Sequence, residues 1–178
     1  MSTRVVNVTL VCALKCQLDL VKLGQEMVGI ATYGQPFPRC VMRYGKQVTL
    51  LIYKSGKIVC LADNVEIGRK GIRRFARTIS AKFSYNVKLS EITVVNMVGT
   101  SDLNTEVDLD DMDIQCDRQA QYNKEIFPNL RYTSTANPKS KVILSRKGKY
   151  ILTGIRSEEE LKSLNEEFRR QVKMILDI

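Results

Sequence analysis

The chain carries the segment Leu51-Ile52-Tyr53-Lys54-Ser55-Gly56-Lys57-Ile58-Val59-Cys60 and repeats its pattern as Ile143-Leu144-Ser145-Arg146-Lys147-Gly148-Lys149-Tyr150-Ile151-Leu152. The second copy lies 92 positions after the first and keeps the apolar residues, the glycine and the lysine that follows it. In each copy two apolar runs flank a short polar step, which predicts two strands joined by a hairpin turn. A match of this length indicates a repeated unit.

Two shorter matches occur in the same order along the chain. Val5-Val6-Asn7-Val8 returns as Val94-Val95-Asn96-Met97, 89 positions on, and Pro36-Phe37-Pro38 corresponds less closely to Ile126-Phe127-Pro128. Three matches in one order predict a duplicated chain, with one repeat over residues 1–89 and the other over residues 90–178. Loops of unequal length account for the small drift in the offset.

The periodicity within the first half predicts a strand, a helix, several strands and a second helix. Apolar residues at every second position from Val6 to Cys12 predict the first strand. Asp19 is a candidate cap for a helix whose apolar face runs as far as Ile30. Short strands are expected around residues 40–43, 48–53 and 57–61, and a helix is expected over residues 65–83.

The second half ends in a helix with a clear start signal. Ser157-x-x-Glu160 is a capping box, and the helix that it opens is expected to be buried through Leu161, Leu164, Phe168, Val172 and Ile175. Residues 101–117 are acidic and weakly periodic, so we predict a loop there with one helical turn at most.

Two halves of this kind predict an α+β fold in which one antiparallel sheet carries all the helices on one side. The helix side would take Val6, Val8, Leu10, Ile52, Ile58 and Cys60. The other side would be apolar where such a sheet usually shows polar residues to water, and it would carry Val5, Thr9, Val11, Leu51, Tyr53, Val59, Leu61, Val94, Val98, Ile143, Ile151 and Thr153. Such a patch usually marks a binding surface; the alternative is that a second layer or a partner chain covers it.

The charge of the chain is unevenly distributed. The 178 residues carry a net charge of +9, with 15 Lys/Arg against 4 Asp/Glu up to residue 89 and 13 against 15 after it. A basic half joined to a near-neutral half favours a polyanionic partner, or an acidic protein that binds the first half.

Several function classes are excluded or disfavoured. Histidine is absent, which excludes Ser-His-Asp catalysis and every zinc site that contains histidine. There is no Gly-rich phosphate loop, and the five cysteines include no C-x-x-C pair, so we expect reduced thiols, no metal, no cofactor and no enzymatic activity. No apolar run is long enough to span a membrane, and the first residues resemble a strand rather than a signal peptide.

Several motifs resemble the TATA-binding protein family over nearly the whole chain. They include the asparagine of Val-Val-Asn-Val and of Val-Val-Asn-Met-Val-Gly, Leu14-Lys-Cys-Gln-Leu-Asp-Leu20, Cys40-Val-Met-Arg43, Ser55-Gly-Lys-Ile-Val59, Tyr122-Asn-Lys-Glu-Ile-Phe-Pro-Asn-Leu130 and Gly148-Lys-x-Ile-Leu-Thr-Gly154. The resemblance implies a saddle with pseudo-twofold symmetry, whose curved antiparallel sheet binds the DNA minor groove and whose helices cover the convex face.

The resemblance also implies which residues bind double-stranded DNA. Asn7 and Asn96 correspond to the paired central asparagines of the family, and their amides can donate to A N3 and T O2. The apolar residues would disfavour the amino group of G·C pairs, and the basic residues would contact phosphates. The implied DNA-binding residues are Asn7, Thr9, Phe37, Arg43, Leu51, Tyr53, Ser55, Lys57, Val59, Leu61, Asn96, Val98, Phe127, Ile143, Ser145, Lys149, Ile151 and Thr153.

The family kinks DNA with two phenylalanine rings per repeat, and it is itself a reference case for such wedging. Phe37 and Phe127 match one ring of each pair. Tyr53 stands in place of the second phenylalanine of the first repeat, and Ser145 stands in place of the second phenylalanine of the other repeat. Tyr53 keeps a ring, whereas Ser145 cannot act as a wedge.

The partners implied by the resemblance are initiation factors and the RNA polymerase machinery. A transcription factor IIB-like protein would bind the segment from Tyr122 to Leu130, through Tyr122, Glu125 and Ile126. Other initiation factors, of the transcription factor IIA type, would bind the basic helix through Arg69, Arg73 and Arg77. The expected location is the nucleus, or a host nucleus or viral transcription site for a viral member.

Two other functions are compatible with the sequence. The same fold with little remaining affinity for DNA would serve as a protein platform that recruits initiation factors. A pair of RNA-binding sheet modules would need aromatic residues in mid-strand, whereas Phe37, Tyr53 and Phe127 are expected at strand or loop edges.

Overall fold

The computed structural model describes residues 3–27, 29–33 and 38–176. Within them, a strand, an α-helix, four strands and an α-helix follow one another twice. The first series is β1 (Arg4–Ala13), α1 (Leu20–Glu26), β2 (Ile30–Tyr33), β3 (Arg39–Tyr44), β4 (Val48–Ile52), β5 (Lys57–Ala62) and α2 (Val65–Phe83). The second is β6 (Thr93–Asp102), α3 (Leu109–Cys116), β7 (Ala120–Asn123), β8 (Phe127–Thr133), β9 (Lys141–Leu144), β10 (Lys149–Ile155) and α4 (Glu158–Leu176).

The chain packs into two compact units. The first unit spans Asn7–Val95, and the second unit contains the chain up to Val6 and from Asn96 onward. Neighbouring strands of the first unit follow the order β2-β3-β4-β5-β1, and those of the second follow β6-β10-β9-β8-β7. The pairs within each unit are antiparallel. The boundary between the two sequence repeats, placed between residues 89 and 90, stays a prediction.

Helix α2 covers one side of the first unit and has the bounds expected from the sequence. Asn64 caps it by accepting a hydrogen bond from the amide of Ile67 at 2.9 Å. At Gly68 an added Cβ would collide with the side chain of Leu10, so glycine allows the helix to lie directly on the sheet. The residues on the helix side of the sheet, among them Leu10, Ile52 and Ile58, are fully buried, as predicted.

Helix α4 covers the second unit and begins at the predicted cap. The Ser157 Oγ accepts from the amide of Glu160 at 3.1 Å, and the Glu160 carboxylate accepts from the amide of Arg156 at 2.8 Å. The Phe168 ring lies 5.3 Å from the ring of Tyr132 and 5.0 Å from that of Tyr150. These aromatic contacts bury the helix against β8 and β10.

The prediction of a helix that extends to Ile30 is wrong. Asp19 does cap α1, through hydrogen bonds from the amides of Val21 and Lys22 at 3.0 Å, but the helix ends at Glu26. Met27 takes an extended conformation, and Ile30 begins β2, which pairs with β3. The pairing of β2 with a neighbouring strand outweighs the weak helical periodicity of these residues.

The prediction of a loop over residues 101–117 is also wrong. Strand β6 continues to Asp102, and α3 forms two turns after it. Asp108 caps this helix, and Leu109, Met112 and Cys116 are buried at helical spacing. The acidic residues between them, together with the exposed Ile114, weaken the amphipathic pattern in the sequence.

Val6 does not lie in the core, contrary to the prediction. Its side chain is 39% exposed, and burial along β1 begins at Val8. The equivalent Val95 on β6 is 40% exposed. The alternation of apolar residues identifies the side of a strand, but a residue is buried only where another element covers that side.

Candidate nucleic-acid interface

The side of the first unit opposite α2 carries two rows of side chains across the strands. Val11 pairs with Val59, which pairs with Leu51, and this apolar row continues to Val41. In the next row Thr9 pairs with Leu61, and Thr49 follows between Leu61 and Arg43. Leu61 is 38% exposed. We call this side the open face of the first unit.

The second unit presents an equivalent open face. Ile151 pairs with Thr100 on one side and Ile143 on the other, and Arg131 and Gln121 extend this row to the outer strands. Ile151 is 41% exposed. Val98 lies along β6 on the same face and Thr153 along β10, and both are partly exposed. The predicted apolar face is therefore present in each unit.

The two central asparagines differ in their surroundings. Asn7 lies on β1 with an exposed side chain. Asn96 lies on β6 and is half-buried, and its Oδ1 accepts a hydrogen bond from the amide of Gly154 at 3.0 Å. The register of β10 against β6 shifts between Leu152 and Ile155, and this irregularity brings the amide of Gly154 to Asn96.

Tyr53 and Ser145 occupy equivalent positions in equivalent turns. The amide of Tyr53 donates to the carbonyl of Lys57 at 3.0 Å, and the amide of Ser145 donates to the carbonyl of Lys149 at 2.9 Å. The glycine of each turn donates to the carbonyl of Tyr53 or Ser145 at 2.9 Å. The proposed wedge position of each unit therefore lies in the equivalent turn of that unit, beside its open face.

The other rings and hydroxyls of the predicted site lie at strand ends and turns. Phe127 begins β8, and the guanidinium of Arg131 stacks over its ring at 4.6 Å from the centroid. Ser55 is exposed in its turn, where its Oγ accepts from the amide of Lys57 at 3.4 Å. Phe37 lies outside the described residues.

The predicted phosphate contacts are solvent-exposed basic residues at the margins of the open faces. Arg43 lies near the end of β3, Lys57 begins β5 and Lys149 begins β10, and all three are exposed. Positions at strand ends allow a cation to reach beyond the apolar rows, which is where the backbone of a bound duplex would run.

The predicted partner residues lie on two separate elements. Tyr122 lies on β7, and Glu125 and Ile126 lie in the turn to β8, where Ile126 is 80% exposed. A hydrogen bond from Arg146 reaches the hydroxyl of Tyr122 and raises the pKa of the Arg146 guanidinium. On α2 the predicted arginines point to solvent on one helix face, at Arg69, Arg73 and Arg77.

Sequence reasoning missed several residues of the open faces. Arg131 and Asn129 face outward on β8, Thr100 does so on β6, and Thr49 does so in the first unit, where Val41 continues the apolar row but is buried. Strand pairing is what identifies them, because each takes its place in a row through the register of its neighbours. The alternation of polar and apolar residues from Asn129 to Thr133 is the sequence signal that could have identified Asn129 and Arg131.

A groove of about 860 Å³ opens on the second unit beside the Ser145 turn. Ile143 and Ile151 line it together with Ser145 and Asn129, and Arg4 and Lys149 contribute positive charge. Among residues 3–27, 29–33 and 38–176, no group of three or more Cys, Asp or Glu side chains could hold a metal ion. Within the same ranges no helix is both long and apolar enough to cross a membrane.

The family model for "Transcription factor TFIID (or TATA-binding protein, TBP)" matches residues 2–82 and 91–175. The chain belongs to the TATA-binding protein family. The match covers both repeats that the sequence predicts, and the antiparallel strands with helices on one side agree with it. The TBP-like α+β fold expected from the sequence is confirmed.

Relatives of this TBP family member come from archaea and eukaryotes. It is 35% identical over 158 residues to the TATA-box-binding protein of Methanothrix thermoacetophila, which is 86% of each chain. It is 31% identical over 176 residues to that of Methanocaldococcus jannaschii, covering 98% of this chain and 91% of the relative. The TATA-box-binding protein of Spodoptera frugiperda is 30% identical over 157 residues, which is 87% of this chain and 50% of that protein.

A solved structure described as Methanococcus jannaschii TBP is similar over almost the whole TBP fold. The TM-score is 0.85 at 28% identity, and the match covers 98% of this chain and 100% of the other. Membership of a family of transcription factors agrees with the prediction that the chain is not an enzyme. Because the relatives include archaeal proteins, the nuclear location stays a prediction.

Proposed function

We propose that this protein is a transcription initiation factor that binds A·T-rich promoter DNA in the minor groove, bends it and nucleates an initiation complex. The observation that carries the proposal is the pair of matching open faces. The row Val11–Val59–Leu51 of the first unit corresponds to the row Thr100–Ile151–Ile143 of the second, and both expose apolar side chains apart from Thr100.

An apolar face suits the minor groove of A·T-rich DNA. A·T pairs present only the acceptors A N3 and T O2 there, whereas G·C pairs add an amino group that needs an acceptor. Val59, Leu61 and Val98 cannot accept a hydrogen bond, so a G·C pair beneath them would leave its amino group unsatisfied. The preference for A·T pairs thus follows from the absence of hydrogen-bond acceptors on these side chains.

Asn7 supplies a donor from the first unit and Asn96 supplies one from the second. The oxygen of Asn96 is engaged by the amide of Gly154, so its Nδ2 group is the part that can turn toward DNA. That group matches the acceptors of an A·T pair. Arg43, Lys57 and Lys149 would contact phosphates and position the duplex without reading its sequence.

Two further surfaces support the recruitment of partners. The turn that exposes Glu125 and Ile126 offers an apolar and an acidic side chain to a transcription factor IIB-like protein. The arginines of α2 offer a basic surface to a IIA-like factor with acidic side chains. Recruitment of the RNA polymerase machinery would follow through these factors.

A gel-shift titration with an A·T-rich duplex and a G·C-rich control of equal length tests the proposed function. We expect binding of the A·T-rich duplex to be stronger, and we expect Leu61→Glu to weaken it because it places a carboxylate on the open face. The matched control is Val21→Glu on α1, since Val21 is 63% exposed and lies off the sheet. Equal binding of both duplexes would contradict the proposed specificity.

One observation favours a second candidate function, a platform that recruits initiation factors with little affinity for DNA. Ser145 takes the position of a wedge ring and uses its hydroxyl to bond the carbonyl of Lys149 at 2.9 Å. If neither duplex is bound, retention of a IIB-like factor on the immobilised protein would identify the platform. Loss of that retention in Ile126→Asp would assign it to the β7–β8 turn.

A further inference from the structure

The groove beside Ser145 makes the open face of the second unit chemically different from that of the first. Its floor is apolar, formed by Ile143 and Ile151, which pair across β9 and β10. Its walls add hydroxyl and amide groups from Thr100, Asn129 and Ser145. A concave site with an apolar floor and a few polar groups is typical of one that receives a specific chemical group.

The hydroxyl of Ser145 is oriented as an acceptor toward the groove. Its hydrogen is used in the bond to the carbonyl of Lys149, at 2.9 Å. A hydroxyl that donates once retains two lone pairs, so the Ser145 oxygen can accept hydrogen bonds from the groove side. Asn129, partly exposed on the same face, adds a carbonyl oxygen with the same capacity.

The equivalent positions of the first unit offer fewer acceptors, because among them Tyr53 alone carries a hydroxyl. Val11 pairs with Val59 in the first unit, and Thr100 pairs with the equivalent Ile151 in the second. Val11 therefore stands where the second unit has Thr100. Tyr53 stands where the second unit has Ser145, in a turn with the same backbone hydrogen bonds. The apolar Leu51 and Val59 complete that part of the face.

We propose that the groove accepts the 2-amino group of a purine in the minor groove, so that the second unit tolerates a G·C pair at the groove, whereas the first unit rejects one at the equivalent position. The proposal rests on the proposed function, because it assumes that the open faces bind the minor groove. The 2-amino group is the only minor-groove donor that a G·C pair adds to the acceptors of an A·T pair. Ser145 and Asn129 are the acceptors that would receive it.

The charges around the groove are compatible with this ligand. Arg4 and Lys149 contribute two cations that can contact the phosphates on either side of the accommodated base pair. Asp102 also lines the groove, and its Oδ1 accepts from the amide of Asn104 at 2.8 Å, which holds the carboxylate against its own turn. An amino donor is favoured by this acceptor-rich wall, whereas an additional acceptor would be repelled.

Single base-analogue substitutions test the proposal directly. Replacing one adenine by 2,6-diaminopurine adds a 2-amino group to an A·T pair and leaves its major-groove groups unchanged. We place the analogue at each adenine position of an A·T-rich duplex in turn and measure the affinity of the wild-type protein. We expect a loss of about tenfold or more at the end bound by the first unit and less than twofold at the end bound by the second.

Variants assign the tolerance to the groove. Ser145→Ala combined with Asn129→Leu removes both acceptors, and we expect the tolerant end to lose about tenfold on addition of the amino group. Ser163→Ala combined with Asn86→Leu, two exposed positions on α4 and between α2 and β6, is the matched control and should leave the position profile unchanged. Ser145→Phe, which fills the groove, should make the tolerant end intolerant as well.

The outcomes separate this proposal from the proposed function. If the wild-type protein fails to bind the unmodified A·T-rich duplex, the proposed function is wrong. If it binds that duplex and the cost of the amino group is the same in the wild type and in the Ser145→Ala/Asn129→Leu variant at every position, the two residues do not receive the amino group and the proposal is overturned.

Discussion

The amide of Gly154 donates a hydrogen bond to Oδ1 of Asn96 at 3.0 Å. A backbone N–H can bond only to the oxygen of a side-chain amide, so this contact fixes which way the Asn96 amide points and leaves its Nδ2 hydrogens for another acceptor. Gly154 has a φ of +78°, and an added Cβ would collide with the carbonyl of Lys139. The donor of Asn96 is therefore oriented by a position that requires glycine.

Substitution of Asn96 should weaken DNA binding in two distinguishable ways. Asn96→Ala removes one donor, and we expect a loss of about 1 kcal/mol, or roughly fivefold in Kd, for an A·T-rich duplex. Asn96→Asp retains an oxygen for the Gly154 amide but directs a carboxylate toward the acceptors of the base pairs, so its loss should be larger. Titration by fluorescence anisotropy measures both.

Two other asparagines, Asn7 and Asn86, provide the comparison and the control for the Asn96 variants. Asn7→Ala removes the corresponding donor of the first unit and should cost a similar amount, whereas Asn86→Ala, an exposed residue between α2 and β6, should have no effect. Wild-type affinity in the Asn7→Ala/Asn96→Ala double variant would show that the asparagines do not contact DNA.

The contact between Asn96 and Gly154 illustrates what the sequence could not provide. The repeated Val-Val-Asn pattern identified both asparagines, and the alternation of apolar residues identified their face. The bond depends on a register shift between β10 and β6, and a shift of register is a property of the paired strands. The same reason explains why Arg131 and Thr49 were missed, since only pairing joins them to the rows of the open face.

The affinity for DNA should fall steeply with salt concentration. Each phosphate contact contributes a slope of about −0.9 to a plot of log K against log salt concentration. Lys149→Ala should make the slope shallower by about 0.9, and Lys57→Ala and Arg43→Ala should each do the same. Lys162→Ala is the control, because Lys162 is exposed on α4, away from the open face. A slope that Lys149→Ala leaves unchanged would remove that residue from the phosphate contacts.

The bend of the bound DNA should increase with an aromatic ring at either the Tyr53 turn or the Ser145 turn. Unstacking a base step costs about a few kcal/mol, which an apolar wedge offsets and a serine cannot. Ser145→Phe should therefore raise both the affinity and the bend angle, and Tyr53→Ala should lower both. Energy transfer between dyes at the two ends of a short A·T-rich duplex measures the bend. An unchanged bend in Ser145→Phe would show that this turn does not lie at a wedge site.

The equivalence of these two turns is the part of the site that the sequence predicted best. The ten-residue match placed Tyr53 opposite Ser145, and the backbone hydrogen bonds of the two turns are the same within 0.1 Å. A hairpin depends on local residues, so a local pattern is enough to predict it. Helix α3 was missed because Leu109 and Met112 gain their burial from distant elements, while the residues around them carry acidic charge.

The thiols of Cys12 and Cys60 should be unreactive in the folded protein. Burial raises the pKa of Cys12 to about 11 and that of Cys60 to about 12, so about one thiol in a thousand or fewer is ionised at pH 8. Cys16 is partly exposed and should be alkylated first. Mass spectrometry of peptides after brief treatment with iodoacetamide, with and without denaturant, measures the order. Modification of Cys60 as fast as Cys16 in the native protein would contradict this burial.

The carboxylate of Glu167 should stabilise the second unit in a pH-dependent manner. It accepts hydrogen bonds from the Ser134 hydroxyl at 2.6 Å, the Thr135 amide at 2.8 Å and the Tyr132 hydroxyl at 3.0 Å. Burial raises the pKa of Glu167, but these hydrogen bonds outweigh it and the pKa lies below the ordinary 4.5. Its contribution is thus complete above pH 4.5 and is lost as the pH falls through the lower pKa of the folded state.

We therefore expect Glu167→Gln to lower the free energy of unfolding by about 2 kcal/mol at neutral pH, the usual range for hydrogen bonds to a charged group. The difference between variant and wild type should shrink as the pH falls below 4.5, because protonation of Glu167 removes the same charge in the wild type. Glu166→Gln, at the exposed neighbouring position of α4, is the control and should change stability little. Urea unfolding followed by circular dichroism between pH 3 and pH 7 measures the effect. A difference between Glu167→Gln and wild type that does not change over this range would contradict a role for the charged carboxylate.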